Sequence, residues 1–463
     1  MAPPPGRAAS ALAGGCAALG FLGLALGLAT ISGPAAAYIQ LIPQIDAGAT
    51  YEDNPRFFYD FQKAAQEALS PGSTDSVLGL YTDLRLEGHW NTPASQVTLT
   101  PRLRRTDYLK ANDDLNDDDK YLDLSAVHSG ARGNVQLTGY YREVSVRTSE
   151  FLEATPDDPD APLDPSTGSG HFADRTQKTW SIAPALAYQL SPRNVVNLSA
   201  SYADVTYDED DGDPLTRSYL DYDYSSVDLS LRHILDAKNA FSIGLNRSHF
   251  LAHDTGNPFR NSSDSYGVTV VYERNFSQRL SGNISAGTTR NSATVSGIVG
   301  GFDPVSGAFC FPFSPCVIHS EEENIVGGMG LRWRTQLSTL NLDLSRNIAP
   351  RSDGTEVVQD QLRFFIDRTL TRRLSGTFAI AALKESAVGK YFEPSSQIIE
   401  LVRQDRTYVT ADLGANWRLT PTLSVYGRYS YRTDRQDVTG GSADRDNNRL
   451  FFGVKYRGVG LRR

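Results

Sequence analysis

The chain has 463 residues, a mean hydropathy of -0.36, and 22 tyrosines and 20 phenylalanines against 2 methionines. That hydropathy excludes a bundle of membrane-spanning helices but not a membrane barrel, whose strands turn only every second side chain to lipid. The net charge of -9 comes without any basic tract, which argues against nucleic acid as a partner.

The chain opens with Arg7, an apolar run over 8–31, and Ala35-Ala36-Ala37. A basic residue, an apolar stretch and small residues in that order predict a signal peptide over 1–37, cleaved before Tyr38. The same run is long enough for a membrane helix, which is the competing reading. Cys16 raises a lipoprotein site, but the preceding Ala13-Gly14-Gly15 matches one poorly. Residues 38–463 are then the mature protein, predicted to be a single barrel domain.

From residue 38 onward the dominant pattern has period two, which is the signature of a strand with unlike faces. Val227, Leu229 and Leu231 alternate with Asp228, Ser230 and Arg232. Leu340, Leu342 and Leu344 alternate with Asn341, Asp343 and Ser345. Val409, Ala411, Leu413, Ala415 and Trp417 alternate with Thr410, Asp412, Gly414, Asn416 and Arg418. In chain order the predicted strands are 38–52, 77–89, 95–109, 119–129, 133–146, 176–190, 194–207, 217–235 and 239–253. They continue as 264–276, 279–295, 322–334, 337–349, 355–369, 373–386, 396–419, 422–434 and 447–458. The first strand and the 388–408 region are the weakest of these and leave sixteen as the alternative to eighteen.

The connections come in two kinds that alternate. Short turns are predicted near 91–93, 129–130, 191–193, 236–238, 277–279, 335–336, 371–372 and 420–421. Longer polar segments lie between them, among them 53–76, 147–175, 254–263, 296–321 and 435–446. Short turns on one side and long loops on the other are what an outer-membrane barrel shows. The predicted fold class is therefore all-β: a transmembrane antiparallel up-and-down barrel. An even strand number puts both mature termini on the periplasmic side.

The polar faces carry the candidate functional residues. Arg332, Arg334, Arg418, Arg428 and Arg432, with Asp343 and Asp412, alternate with apolar neighbours. A charge on the lipid face costs roughly 2–4 kcal/mol at the midplane, so these residues are expected to line the lumen. There they either tune ion passage or pair across strands and stiffen the wall. Cys310 and Cys316, an even pair in an exported chain, are expected to form a disulfide in an outside loop.

Acidic clusters at 113–119, 157–160 and 208–213 are read as solvated loop tips. The third has its glycine at the wrong position for an EF-hand. His249 and His253 have helical metal-site spacing, but on a strand they lie roughly 13 Å apart. No metal, cofactor or catalytic set is predicted, and the protein is not expected to be an enzyme. Membrane lipid and lipopolysaccharide are the expected surroundings.

Two segments carry a resemblance. Leu450, Phe452, Val454 and Tyr456, with Gly453 three before Tyr456, resemble the terminal-strand signal read by the outer-membrane assembly machinery. They depart from it in being followed by residues 457–463. Ile42-Pro43 and Thr50-Tyr51-Glu52-Asp53-Asn54 are similar to the opening strand of β-barrel porins linked to exopolysaccharide and exosortase (PEP-CTERM) systems. The resemblance implies an outer-membrane barrel tied to surface polysaccharide, with secretion components as partners. The leading expectation is a porin-like channel for small hydrophilic solutes or surface-glycan material. The alternatives are a non-conducting barrel that anchors polysaccharide secretion and a membrane-embedded hydrolase.

Overall fold

The computed structural model describes residues 38–55, 76–109, 115–146, 175–208, 220–253, 260–298, 316–350, 356–387, 406–438 and 441–462. The predicted signal peptide and Cys310 lie outside them, and Cys316 is described only as the first backbone position of a strand. Eighteen long strands form one antiparallel sheet. They are β1 (Tyr38–Glu52), β2 (Val77–Asn91), β3 (Ser95–Leu109), β4 (Asp117–Ser129), β5 (Gly133–Ser145) and β6 (Thr176–Ser191). Next come β7 (Asn194–Tyr207), β8 (Asp221–Ile234), β9 (Asn239–His253), β10 (Arg260–Asn275), β11 (Leu280–Ile298) and β12 (Cys316–Arg334). The last six are β13 (Ser338–Pro350), β14 (Glu356–Thr369), β15 (Leu374–Ala387), β16 (Arg406–Arg418), β17 (Leu423–Val438) and β18 (Gly441–Arg457). A two-residue β19 (Leu461–Arg462) continues the path of β18 along β1.

Each strand pairs with its neighbours in sequence, and β1 pairs with both β2 and β18, so the sheet closes. Eighteen, not sixteen, is the count. The short-turn and long-loop ends of the strands define two rims, and Tyr38 and Arg462 both lie at the short-turn rim.

The short turns repeat one local device. A side-chain oxygen of a Ser, Thr or Asp at the start of the turn accepts the N–H three residues on: Thr92 from Ser95 at 2.9 Å, Ser277 from Leu280 at 3.1 Å, Thr335 from Ser338 at 2.9 Å, Thr420 from Leu423 at 3.0 Å. These residues satisfy the backbone locally where the ladder cannot. At Asp236 the Asn239 N–H makes the same bond at 3.0 Å, and further hydrogen bonds, first from the Asn239 side chain and then from the Lys238 N–H, hold the carboxyl below its usual range.

Several ladders run further than apolar alternation indicates. β10 begins at Arg260, β12 at Cys316, and β17 and β18 extend to Val438 and from Gly441, so most of the loop expected at 435–446 is paired strand. β16 is described from Arg406, and residues 396–405 of its predicted span lie outside the described residues. Above the apolar belt the pairing continues through opposite charges: Arg435 faces Asp444, and Asp434 faces Arg445.

The outward face is apolar. Leu84, Leu103, Leu245, Ile284, Leu413 and Phe452 are all exposed large side chains on it. Tyr188, Phe276, Trp333, Trp417 and Tyr456 ring it near the short turns. Towards the long-loop rim the belt gives way to exposed cross-strand ion pairs: Lys120–Glu143 at 2.9 Å, Arg247–Asp264 at 3.4 Å, Arg290–Glu321 at 2.6 Å and Arg346–Asp360 at 3.5 Å. Exposed pairs contribute about 0–1 kcal/mol each, so they mark a polar boundary rather than hold the fold. An apolar band between an aromatic girdle and a charged edge makes this a transmembrane barrel.

Closure has its own packing. Tyr81, Gly48, Gly453 and Tyr426 lie in one row across β2, β1, β18 and β17. The two tyrosine rings lean over the two glycines, their hydroxyls meet, and Tyr426 donates to Asp46 at 2.7 Å. A Cβ on Gly48 would fall on the Phe452 carbonyl and 2.7 Å from the Gly453 Cα, both backbone atoms of the closing strand. Gly48→Ala is therefore expected to lower stability by about 1–3 kcal/mol, the usual cost of overpacking. Gly88→Ala, whose Cβ would meet nothing nearer than 3.5 Å, should be tolerated. The fraction of protein migrating as the heat-modifiable folded form after refolding in detergent separates the two; equal fractions would remove the steric account.

Candidate functional site: the inner wall

The inner face is the one opposite the apolar belt, and it differs between the two ends of the barrel. Towards the short turns its charged residues reach solvent. Arg332 and Arg334 on β12 and Arg418 on β16 are exposed, and Asp343 on β13 is half-buried. Arg102 pairs with Asp83 at 2.6 Å and lies over the Tyr121 ring at 4.9 Å. Arg457 reaches Glu87 at 3.0 Å.

Towards the long loops the inner wall is closed to water. Asp434 is buried between Arg406 at 2.8 Å and Arg445 at 2.5 Å, and Arg406 also lies 3.8 Å from Glu385. Gln359 donates to Glu385 at 3.3 Å. Glu52 accepts from the Tyr108 hydroxyl at 2.5 Å and pairs with Arg449 at 2.9 Å. Burial of such groups is tolerated only because each charge faces an opposite one or a donor.

The residues singled out from sequence divide between these zones. Arg428 comes within 3.9 Å of Asp412 and sits 5.0 Å over the Phe451 ring. Arg432 and Asp412 are buried. The five arginines therefore do not form one continuous solvent-facing ladder. Three are exposed near the short turns, one lies against a carboxylate, and one is inside the closed zone. The reason is axial position: Arg428 and Arg432 lie further along β17 from the turn than Arg418 does along β16.

The Arg406–Asp434–Arg445 chain was not anticipated, because 435–446 reads as a loop when only apolar alternation is followed. A usable signal was there. Asp434 and Arg445, like Arg435 and Asp444, are placed symmetrically about 439–440, as cross-strand partners in a tight hairpin must be.

Of the acidic clusters, Asp119 is buried and accepts the Ser145 N–H at 3.0 Å, and Asp208 pairs with Lys178 at 2.6 Å. Asp113, Asp114 and 157–160 lie outside the described residues. His249 approaches Asp264 at 3.4 Å on the outward face. Among the described residues no group of three or more metal-ligating side chains is assembled.

No protein-family model matches the chain, and no curated protein matches it in sequence. Among solved structures it is similar to the ferric-catecholate import receptor Fiu of E. coli K12, open form, with TM-score 0.44 and 8% identity over 90% of this chain and 81% of that one. It is also similar to the outer membrane protein opdK of Pseudomonas aeruginosa, with TM-score 0.40 and 11% identity over 92% of this chain and 99% of that one. The ferric preacinetobactin receptor BauA of Acinetobacter baumannii gives TM-score 0.41 and 10% identity over 90% and 80%.

Proposed function

We propose that the protein is a bacterial outer-membrane channel for small hydrophilic solutes. One observation carries this reading: a closed wall of eighteen strands, apolar outside, presents charged and amide side chains inside. A ring of that size encloses more space than its own side chains fill. By the usual asymmetry of such barrels the short-turn rim, with both ends of the described chain, faces the periplasm. The β18 residues Leu450 to Tyr456, which close the barrel against β1, are the segment offered to the assembly machinery. Surface glycan is the first solute class to try, given the resemblance of the opening strand.

The mouth at the short-turn rim carries Arg332, Arg334 and Arg418, all exposed on the inner face. Positive charge there is focused by low-dielectric walls and favours anions locally, within a Debye length of about 10 Å at 0.1 M salt. In planar bilayers under a salt gradient the wild type is expected to conduct with an anion preference that falls in Arg334→Ser with Arg418→Ser. No conductance would remove the channel reading. Conductance with unchanged reversal potential would remove these arginines from the ion path.

A further inference from the structure

The seam between β12 and β13 is incomplete. β12 and β13 pair only from Gly327↔Arg346 to Arg334↔Thr339, eight of the nineteen residues of β12. Beyond Gly327 both strands continue, β12 to Cys316 and β13 to Pro350, with no ladder between them among the described residues.

The β13 side has gone inward. On β14 the outward positions are Asp360, Leu362, Phe364 and Ile366, and Glu356 shares their parity. Yet the Glu356 carboxylate accepts from the Ser263 hydroxyl on β10 and from the Asn291 amide on β11 at 2.6 Å. Ser263 and Asn291 lie on the inner face of their strands. An outward-parity side chain can meet the inner face of strands three and four places away only if its own strand end lies inside the barrel. Burial agrees: residues 356–359 are buried on both faces, and so are Ala349 and Pro350.

We propose that the long-loop end of β13–β14 is a flap that swings between this docked position and a place in the wall, where β13 completes its ladder with β12. Four observations support the movement. The free edges are in register: extending the existing pairing sets Val326 opposite Asn347, Ile325 opposite Ile348 and Asn324 opposite Ala349. The fork falls at Gly327-Gly328, where each missing Cβ would strike a neighbouring strand's carbonyl, Ser285 for Gly327 and Leu344 for Gly328 at 2.7 Å. The docked contact is a polar latch, one carboxylate held by a hydroxyl and an amide. Finally, the Asn324 Nδ2 and the Asn347 Oδ1 are both buried without a hydrogen-bond partner in the docked state. In the completed ladder they become diagonal neighbours on one face, a donor and an acceptor for each other. Because β14 stays paired to β15 throughout, the flap moves as a corner of the sheet. Given the channel reading, docking narrows the lumen and undocking widens it.

The test is a cysteine pair, Ile325→Cys with Ile348→Cys, in full-length protein carrying Cys310→Ser and Cys316→Ser. Met329→Cys with Leu344→Cys, already opposite in the ladder, is the positive control. The 325/348 pair is expected to cross-link slowly under mild oxidant, and at least about tenfold faster when Glu356→Ala removes the latch. A control that cross-links while 325/348 does not, with or without the latch, overturns the flap. Equal rates with and without Glu356 overturn the latch. Single-channel recording of the cross-linked form, before and after reduction, then reads the width. Larger conductance in the cross-linked state supports gating, and no change on reduction overturns it. If neither state conducts, the channel reading fails while the measured cross-link still establishes the movement.

Discussion

Asp434→Ala is expected to destabilise the barrel by about 3–5 kcal/mol, the cost of leaving a buried ion network without its central partner. The Asp434 side chain is fully buried, and the two guanidinium groups that flank it are 4% and 2% exposed. Removing the carboxylate leaves Arg406 and Arg445 facing each other with little water to reach either. Glu385, 3.8 Å from Arg406, offsets only part of this. The comparison variant is Asp444→Ala in the same hairpin. Its partner Arg435 lies 3.8 Å away, and both side chains are well exposed, so the loss should be at most about 1 kcal/mol. Urea unfolding of the two proteins in the same detergent, followed by tryptophan fluorescence, measures the difference. Equal midpoints would mean that water reaches the Asp434 site.

Leu413→Arg is expected to cost about 2–4 kcal/mol and to reduce assembly into lipid vesicles sharply, whereas Asn416→Arg should assemble nearly as wild type. Leu413 is 60% exposed in the middle of β16, between Phe378 and Tyr429 on the adjoining strands. Its surroundings are the apolar belt, so an arginine there enters hydrocarbon. Asn416 stands on the opposite face near the short-turn rim, where water reaches it. Folding yield in vesicles, read by resistance to added protease, distinguishes the variants. Similar yields would mean that the outward face does not meet lipid.

Alternation of single residues made most of this architecture legible. The side-chain period of a strand is two whatever its neighbours do, so Leu413 and Asp412 could be sent to opposite faces before any pairing was known. The short turns were equally legible, because Thr335 or Thr420 satisfies its turn from within three residues. What alternation missed lies above the belt, where both faces are polar. There the strands run on through charge pairs such as Arg435–Asp444, and hydropathy carries no signal.

Face, strand and turn are local quantities, and the amino-acid sequence by itself determined them: the apolar side of each strand, the short turns, and an even count that brings both ends to one rim, with the choice of eighteen over sixteen left to the pairing. The tertiary structure decided everything that depends on which strands meet and how completely. Gly48 and Gly453 are 405 positions apart, and only closure of the sheet shows why both lack a side chain. Arg428 and Arg432 look alike in sequence, but their height in the barrel leaves one against Asp412 and the other buried. Glu356 has the parity of a lipid-facing residue and is instead held inside by Ser263 and Asn291. Parity reports the side of a strand, whereas the side of the barrel depends on where the strand itself has been placed, and long-range contacts set that.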